Sequence, residues 1–170
     1  ILMKSLILFS YCELNKKNPQ LRIDNLNFFL KKGLINDPNH TFIFIINGHK
    51  LSVKIPKRDN IKIVYRDNHS FDFGAYSHYL LHNDIKSYDY FFFINDSVRG
   101  PFLFNWFPNI PWTQIYTTKI NDNLKLLGST INFFKGRVHI TSSFFMTDKI
   151  GLNILIKNKI FSNKKIDKKP

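Results

Sequence analysis

Cysteine occurs once, at Cys12, which excludes an internal disulfide and any zinc site built from several thiolates. Folding then needs no oxidising compartment, and the chain is read as cytoplasmic. Long apolar runs are also missing. Nothing approaches the roughly 18 residues of a membrane span, and "SLILF" (Ser5 to Phe9) is short for a secretory signal and lacks a small-residue cleavage pattern, so it reads as a strand. There is no Gly-x-Ser-x-Gly elbow, Walker loop or Gly-x-Gly-x-x-Gly turn. His78 and His82 stand four apart, as paired zinc ligands do, but the glutamate of a His-Glu-x-x-His site is absent and no third ligand stands out.

Acidic residues are scarce as well: 12 against 25 Lys and Arg, a net charge of +13 over 170 residues. A polyanionic partner is the first thought. However, five of the surplus positive charges lie in the Lys-rich end from Lys157 onward, and the body shows no basic stripe interleaved with aromatics of the kind single-stranded nucleic acid requires. Nucleic acid is therefore not the expected partner. A phosphate-rich small ligand, or peripheral contact with a negatively charged membrane surface, suits the same charge. Hydrophobic residues at 44% and charged ones at 22% are those of an ordinary globular chain with a core of its own. Part of the excess of 18 Phe, together with many Asn, Lys and Ile, reflects AT-rich codons.

Four apolar runs of strand length are present: Met3 to Phe9, Thr41 to Ile46, Ile61 to Tyr65 and Asp89 to Ile94. "TFIFII" and "YFFFI" are apolar at nearly every position, as parallel strands covered on both faces are. Helical spacing is found at 22 to 32, with Gly33 as a C-terminal cap, and at 73 to 82, with Asp72 as a candidate N-cap. The link from Asn47 to Asn60 contains Pro56 and has room for little helix. Beyond it come a Pro-punctuated stretch from Gly100 to Pro111, a helix from Trp112 to Ile120, strands at Leu124 to Phe133 and Val138 to Met146, and a helix from Asp148 to Lys157. This alternation predicts an α/β sheet with its ligand site beyond the carboxyl ends of the strands.

Four loops follow those strand ends: "SYCEL", "NGH", "RDNHSFDFG" and "NDSVRGP". They hold most of the noteworthy polar residues, and loops on a rigid sheet are where ligand-contacting groups are normally set. Asp72, with Gly74 and Ala75 behind it, opens a helix whose free N–H groups can meet a phosphate; the carboxylate itself suits a cap, a ribose contact or a partnership with Arg66. Asp96, between Asn95 and Ser97 at the end of an apolar strand, reads equally as a ligand for Mg²⁺ or Mn²⁺ or as an Asx-turn ahead of Gly100-Pro101.

The segments "RDNHSFDFGAY", "YDYFFFINDSVRGPF", "LLGSTIN" and "VHITSSFFMTDKIGL", in that order, resemble glycosyltransferases of the GT-A fold, and among them the rhamnan-synthesis protein F group and related sugar transferases of polysaccharide clusters and large DNA viruses. The likeness runs over nearly the whole chain, including "YCELNKKNPQLRIDNLNFFLKKGL". It implies a GT-A, Rossmann-like, mostly parallel sheet flanked by helices. It also implies transfer of a sugar from a nucleotide-sugar donor to a glycan or lipid-linked acceptor.

By the same resemblance, Arg66, Asn68, Asp72, Gly74 and Ala75 border the nucleotide, and Tyr11 and Glu13 lie where such folds meet the base. Asn95, Asp96 and Ser97 take the place where many GT-A enzymes hold a metal on the donor diphosphate, so Asp96 is the expected ligand of Mn²⁺ or Mg²⁺. His139, Ser142 and Ser143 border the acceptor. The sequence departs from the family at Ser70, where Gly is usual, and in offering one carboxylate rather than the two of Asp-x-Asp. The family continues for several elements past the segment matching Ile150 to Ile160. The expectation is therefore a GT-A-like domain over 1–160, shortened at its C-terminal side, followed by a basic tail over 161–170. A shortened domain that binds a nucleotide-sugar or a partner with little or no turnover is the alternative.

Overall fold

The computed structural model describes residues 3–14, 18–103 and 110–161. Its first half is strand β1 (Ser5–Tyr11), helix α1 (Pro19–Lys32), strands β2 (His40–Asn47) and β3 (Ile61–Arg66), helix α2 (Phe71–His82) and strand β4 (Tyr90–Asn95). The second half is helix α3 (Trp112–Thr117), strands β5 (Leu126–Gly128), β6 (Ile131–Phe134), β7 (Arg137–Ile140) and β8 (Phe144–Asp148), and helix α4 (Lys149–Lys157). Six strands form one mixed, mainly parallel sheet in the order β3-β2-β1-β4-β8-β5, with β6 and β7 as a separate two-stranded ribbon. The fold is α/β and compatible with a Rossmann-like architecture.

The apolar runs behave as their composition requires. In β1 every residue is buried; Leu8 pairs in parallel with Ile43 of β2 and with Phe93 of β4. Alternation divides β1 between two cores. Ile7, Phe9 and Tyr11 pack with Leu26 and Phe29 of α1, whereas Leu6 and Leu8 pack with Ala75, Tyr76 and Leu80 of α2. The two crossover helices thus cover opposite faces. Between β2 and β3 no helix forms, and Val53 and Ile55 of that connection join the α1-side core instead. Because the chain leaves β1 toward β2 and returns from β3 to β4 on the other side of β1, the strand order reverses between β1 and β4, which is where open α/β sheets leave a crevice.

Several expected boundaries move. Helix α1 starts at Pro19, whose fixed φ and missing N–H suit the first helical turn. Helix α2 starts at Phe71, so Asp72 lies inside the first turn and is not the N-cap, a position held by Ser70. Helix α3 stops at Thr117, short of Ile120. The two strands expected at 124–133 and 138–146 resolve into β5, a hairpin and β8, because Lys135 and Gly136 both take positive φ (49° and 75°), the geometry of a tight two-residue turn. Phe161, expected to open the tail, belongs to the core, its ring 5.0 Å from that of Phe93. The rest of that tail, 162–170, and much of the Pro-punctuated stretch, 104–109, lie outside the described residues.

Gly33 does close α1, though not by a left-handed turn: its φ is −98°, and its N–H donates to the Phe29 carbonyl at 2.6 Å. Glycine is needed there for space. A Cβ at this position would sit 2.6 Å from two ring carbons of the buried Phe29, and the Gly33 carbonyl accepts from the Trp112 indole at 2.8 Å. Gly33→Ala is expected to destabilise the fold by about 1–3 kcal/mol, the usual cost of overpacking; denaturant unfolding that shows an unchanged or higher midpoint would contradict this packing.

A candidate ligand cleft at the switch point

A polar side chain ends each of the four parallel strands, and these side chains are joined. Arg66, closing β3, donates through Nη1 to Asn47 Oδ1 at 2.6 Å. Asn47, closing β2, donates to the Ser10 hydroxyl at 3.0 Å. Ser10, near the end of β1, donates to Asp72 Oδ1 at 3.0 Å, and Asn95, closing β4, donates to Asp72 Oδ2 at 2.6 Å. The Ser97 amide and hydroxyl both donate to Asn95 Oδ1. A hydrogen-bonded band therefore crosses β3, β2, β1, the first turn of α2 and β4. Each of these buried groups needs such a partner, since an unpaired one costs about 1–3 kcal/mol.

Asp96 forms a second knot one residue further on. Its Oδ2 accepts from the Cys12 amide at 2.7 Å, its Oδ1 is ion-paired and hydrogen-bonded to Arg22 Nη1 in the first turns of α1, and its carbonyl accepts from Asn25 at 3.0 Å. Asp96 thus clips the ends of β1 and β4 to α1 directly over the switch point. Burial raises the carboxyls of both Asp72 and Asp96 above the ordinary carboxylate value. Hydrogen bonds from Asn95 and Ser10 oppose this in Asp72, and the Cys12 amide and Arg22 oppose it in Asp96. Burial lowers the Arg66 guanidinium. The Cys12 thiol is pushed up by burial and accepts from Asn68 at 3.3 Å.

Of the residues singled out from the sequence, Arg66, Asp72, Asn95 and Ser97 meet in the band and Asp96 in the knot beside it, with Asn68 bonded to Cys12. Gly74 serves its own loop: a Cβ there would lie 2.6 Å from Ser70 Cβ and 2.7 Å from the His69 carbonyl, which itself accepts from Arg66 at 3.0 Å. Tyr11 and Glu13 turn toward the connection after β2. Glu13 is 3% exposed and accepts from the Tyr11 hydroxyl at 3.2 Å and from the Ser52 amide at 2.7 Å, with a further bond from the Ser52 hydroxyl and Lys50 Nζ at 3.2 Å. Ser143 meets the polar band through its carbonyl, which accepts from the Asn95 amide at 3.0 Å; Ser142 is next to it, and His139 is exposed on the ribbon. Sequence reasoning passed over Arg22, Ser10, Asn47 and Lys50. The available signal was a hydroxyl and an amide at the ends of otherwise apolar strands, and a lone cation on the opening turn of α1.

The donor set at Asp96 does not fit a divalent ion. Both carboxylate oxygens are committed, one of them to a guanidinium, and the described residues contain no group of three or more His, Cys, Asp or Glu placed to hold a metal. A hard cation takes six or more oxygen donors and keeps another cation at a distance. His78 and His82 do share a face, with ring centroids 5.1 Å apart, but His82 Nδ1 is bonded to the His78 carbonyl. Comparison with protein-family models and with curated proteins finds no match for this chain. No helix among the described residues is long and apolar enough to cross a membrane.

Glu13 provides a test of the electrostatics. Burial alone would raise its carboxyl, but the Ser52 hydroxyl and amide, Lys50 and Tyr11 together outweigh burial and hold it at about 2, against an ordinary 4.5. A depressed folded-state value means that its contribution is complete above 4.5 and is lost as pH falls toward about 2. Asp72 and Asp96, raised by burial, shift in the opposite sense. The difference in Tm between the wild type and Glu13→Gln should therefore shrink steadily through that window; a difference independent of pH would rule out a charged Glu13 as the source.

Proposed function

We propose that the switch-point cleft binds the diphosphate of a nucleotide-sugar and that the chain is a glycosyltransferase of GT-A type, moving the sugar to a hydroxyl of a glycan or lipid-linked acceptor. The observation that carries this reading is the Arg22–Asp96 clip. A guanidinium is oriented by a buried carboxylate at the opening of a helix, over the crevice between diverging crossovers, where Rossmann-like sheets take nucleotides. The resemblance of "RDNHSFDFGAY" and "YDYFFFINDSVRGPF" to GT-A transferases supplies the reaction class, and residues from both segments join in the polar band.

In this reading Arg22, with donors left over after its bond to Asp96, stabilises the charge that develops on the departing diphosphate, as a fixed guanidinium does in phosphoryl sites. Asp96 acts through Arg22 by holding its fork in place. The band from Arg66 to Asn95 keeps the floor of the cleft rigid, so little reorganisation accompanies the reaction.

The test is calorimetry and thermal shift with UDP-, GDP- and dTDP-sugars in EDTA. One nucleotide class is expected to bind, and at about a hundredfold excess over Kd it should stabilise by roughly 2.7 kcal/mol, a rise of about 5–10 °C in Tm for a chain of this size. Arg22→Gln should weaken that binding by about tenfold or more, the worth of one charge-assisted hydrogen bond. No shift with any nucleotide-sugar would overturn the proposal. Affinity that appears only with Mn²⁺ and disappears in Asp96→Asn would return the cation's role to a metal. Binding without sugar transfer to added glycan or lipid-linked acceptors would leave a nucleotide-sugar-binding domain.

A further inference from the structure

The ribbon formed by β6 and β7 is the most exposed apolar feature among the described residues. Register pairs Ile131 with Ile140, Asn132 with His139, Phe133 with Val138 and Phe134 with Arg137. Because side chains alternate between faces along a strand, Ile131, Phe133, Val138 and Ile140 share one face, and Asn132, Phe134, Arg137 and His139 share the other. The first face is apolar throughout, yet Ile131 is 70%, Phe133 74% and Val138 69% exposed. Only Ile140, at the base, packs on the core. A contiguous apolar face left in water marks a contact surface.

The charges around that face identify what it meets. Lys135 at the turn and Arg137 beside it are exposed cations, and no acidic residue occurs between Asp122 and Asp148; Lys125, ahead of the ribbon, is spent on an ion pair with Asp148 at 2.9 Å. Lys135 Nζ lies 5.3 Å from the Phe134 ring centroid, an aromatic-and-cation tip of the kind that seats rings at the acyl boundary while the ammonium stays among headgroups. A second copy of the chain is disfavoured, since apposed ribbons would bring Lys135 and Arg137 against their own copies in a protein of net charge +13. We infer that the β6–β7 ribbon is a wedge that docks the protein on an anionic phospholipid bilayer, apolar face and turn inserted at the interface, with Lys135 and Arg137 among the lipid phosphates.

The position of the wedge gives the docking a use. The ribbon is closed at its base by Thr141 N donating to Thr130 O at 3.1 Å, and Ser143, just beyond, accepts from the amide of Asn95 in the cleft. Docking therefore brings the cleft edge to the membrane surface, whatever the cleft binds.

Co-sedimentation with vesicles of phosphatidylcholine alone, and of phosphatidylcholine with an equal part of phosphatidylglycerol, tests the inference on the full chain. Binding to the anionic vesicles is expected, weakened by high salt and by omitting phosphatidylglycerol. The paired substitution Ile131→Ser with Phe133→Ser should reduce vesicle partition by about tenfold or more. Lys135→Glu with Arg137→Glu should reduce it by at least about twentyfold. Both pairs lie on exposed positions, and an unchanged circular dichroism spectrum and Tm shows that the fold persists. Absence of wild-type binding to anionic vesicles, or equal binding by the variants, would overturn the inference. So would a dimer in sedimentation velocity that the Ile131→Ser, Phe133→Ser pair dissociates, because the ribbon would then be an interface between copies.

Discussion

A buried polar side chain at the end of a strand needs something inside the protein to receive it, and here four neighbouring parallel strands carry one at or near their ends: Arg66, Asn47, Ser10 and Asn95. Arg66, Asn47, Ser10 and Asn95 cannot be satisfied by their own strands, whose backbone groups are spent on the ladders. Asp72 resolves the problem by accepting from both β1 and β4. The carboxylate in the first turn of α2 is therefore the keystone of the sheet's carboxyl edge. It bonds β1 and β4 directly, and through Ser10 and Asn47 it is linked to Arg66 of β3. A buried carboxylate with two donors and raised affinity for its proton is an expensive device in stability terms, and its retention at a switch point rather than deep in the core is what ties fold to site.

The fold was largely legible because its signals are local. Unbroken apolar runs such as "TFIFII" and "YFFFI" demand cover on both faces, and the helices that provide it announce themselves by spacing. Where details moved, packing or a hydrogen-bond partner outside the local pattern was responsible, and where a reading held, as at the Gly33 cap, the reason was sometimes a different one. Asp72 has the chemistry of an N-cap, but its helix starts a residue earlier because Ser10 and Asn95 hold the carboxylate. Gly33 has the chemistry of a left-handed cap, yet its backbone is ordinary and the space beside Phe29 is what requires glycine. The single strand expected from Leu124 to Phe133 breaks after Gly128, where a Cβ would lie 2.0 Å from Ile140 Cγ2.

The candidate site divides in the same way. Arg66 and Asn95 to Ser97 stand out because they end or follow apolar strands, and Asp72 because it opens a helix in the loop after one. Arg22 does not, since one Arg on an exposed-looking helix turn resembles every other solvated cation in a chain with 25 of them. It becomes distinctive only once Asp96, 74 residues later, is seen beside it. Glu13 shows the converse. The GT-A resemblance would place Glu13 where such folds meet the base; in the structure its carboxylate accepts from Ser52 and pairs with Lys50, both from a connection with little local pattern. Loops without periodicity carry partners that no spacing rule can anticipate.

Alternation explains both the cleft and the ribbon, with opposite outcomes. In β1, β2 and β4 each face meets a helix or a loop, so apolar residues vanish into two cores and polar ones collect at the strand ends. In β6 and β7 the same period of two gathers Ile131, Phe133 and Val138 on a face that no described element covers. The two regions touch: Gly128 leaves room for Ile140 at the sheet's edge, and the Asn95 amide donates to the Ser143 carbonyl just before β8. The exposed apolar face and the polar carboxyl edge of the sheet are therefore neighbours, one backbone hydrogen bond apart, and a surface that receives the first lies beside the second.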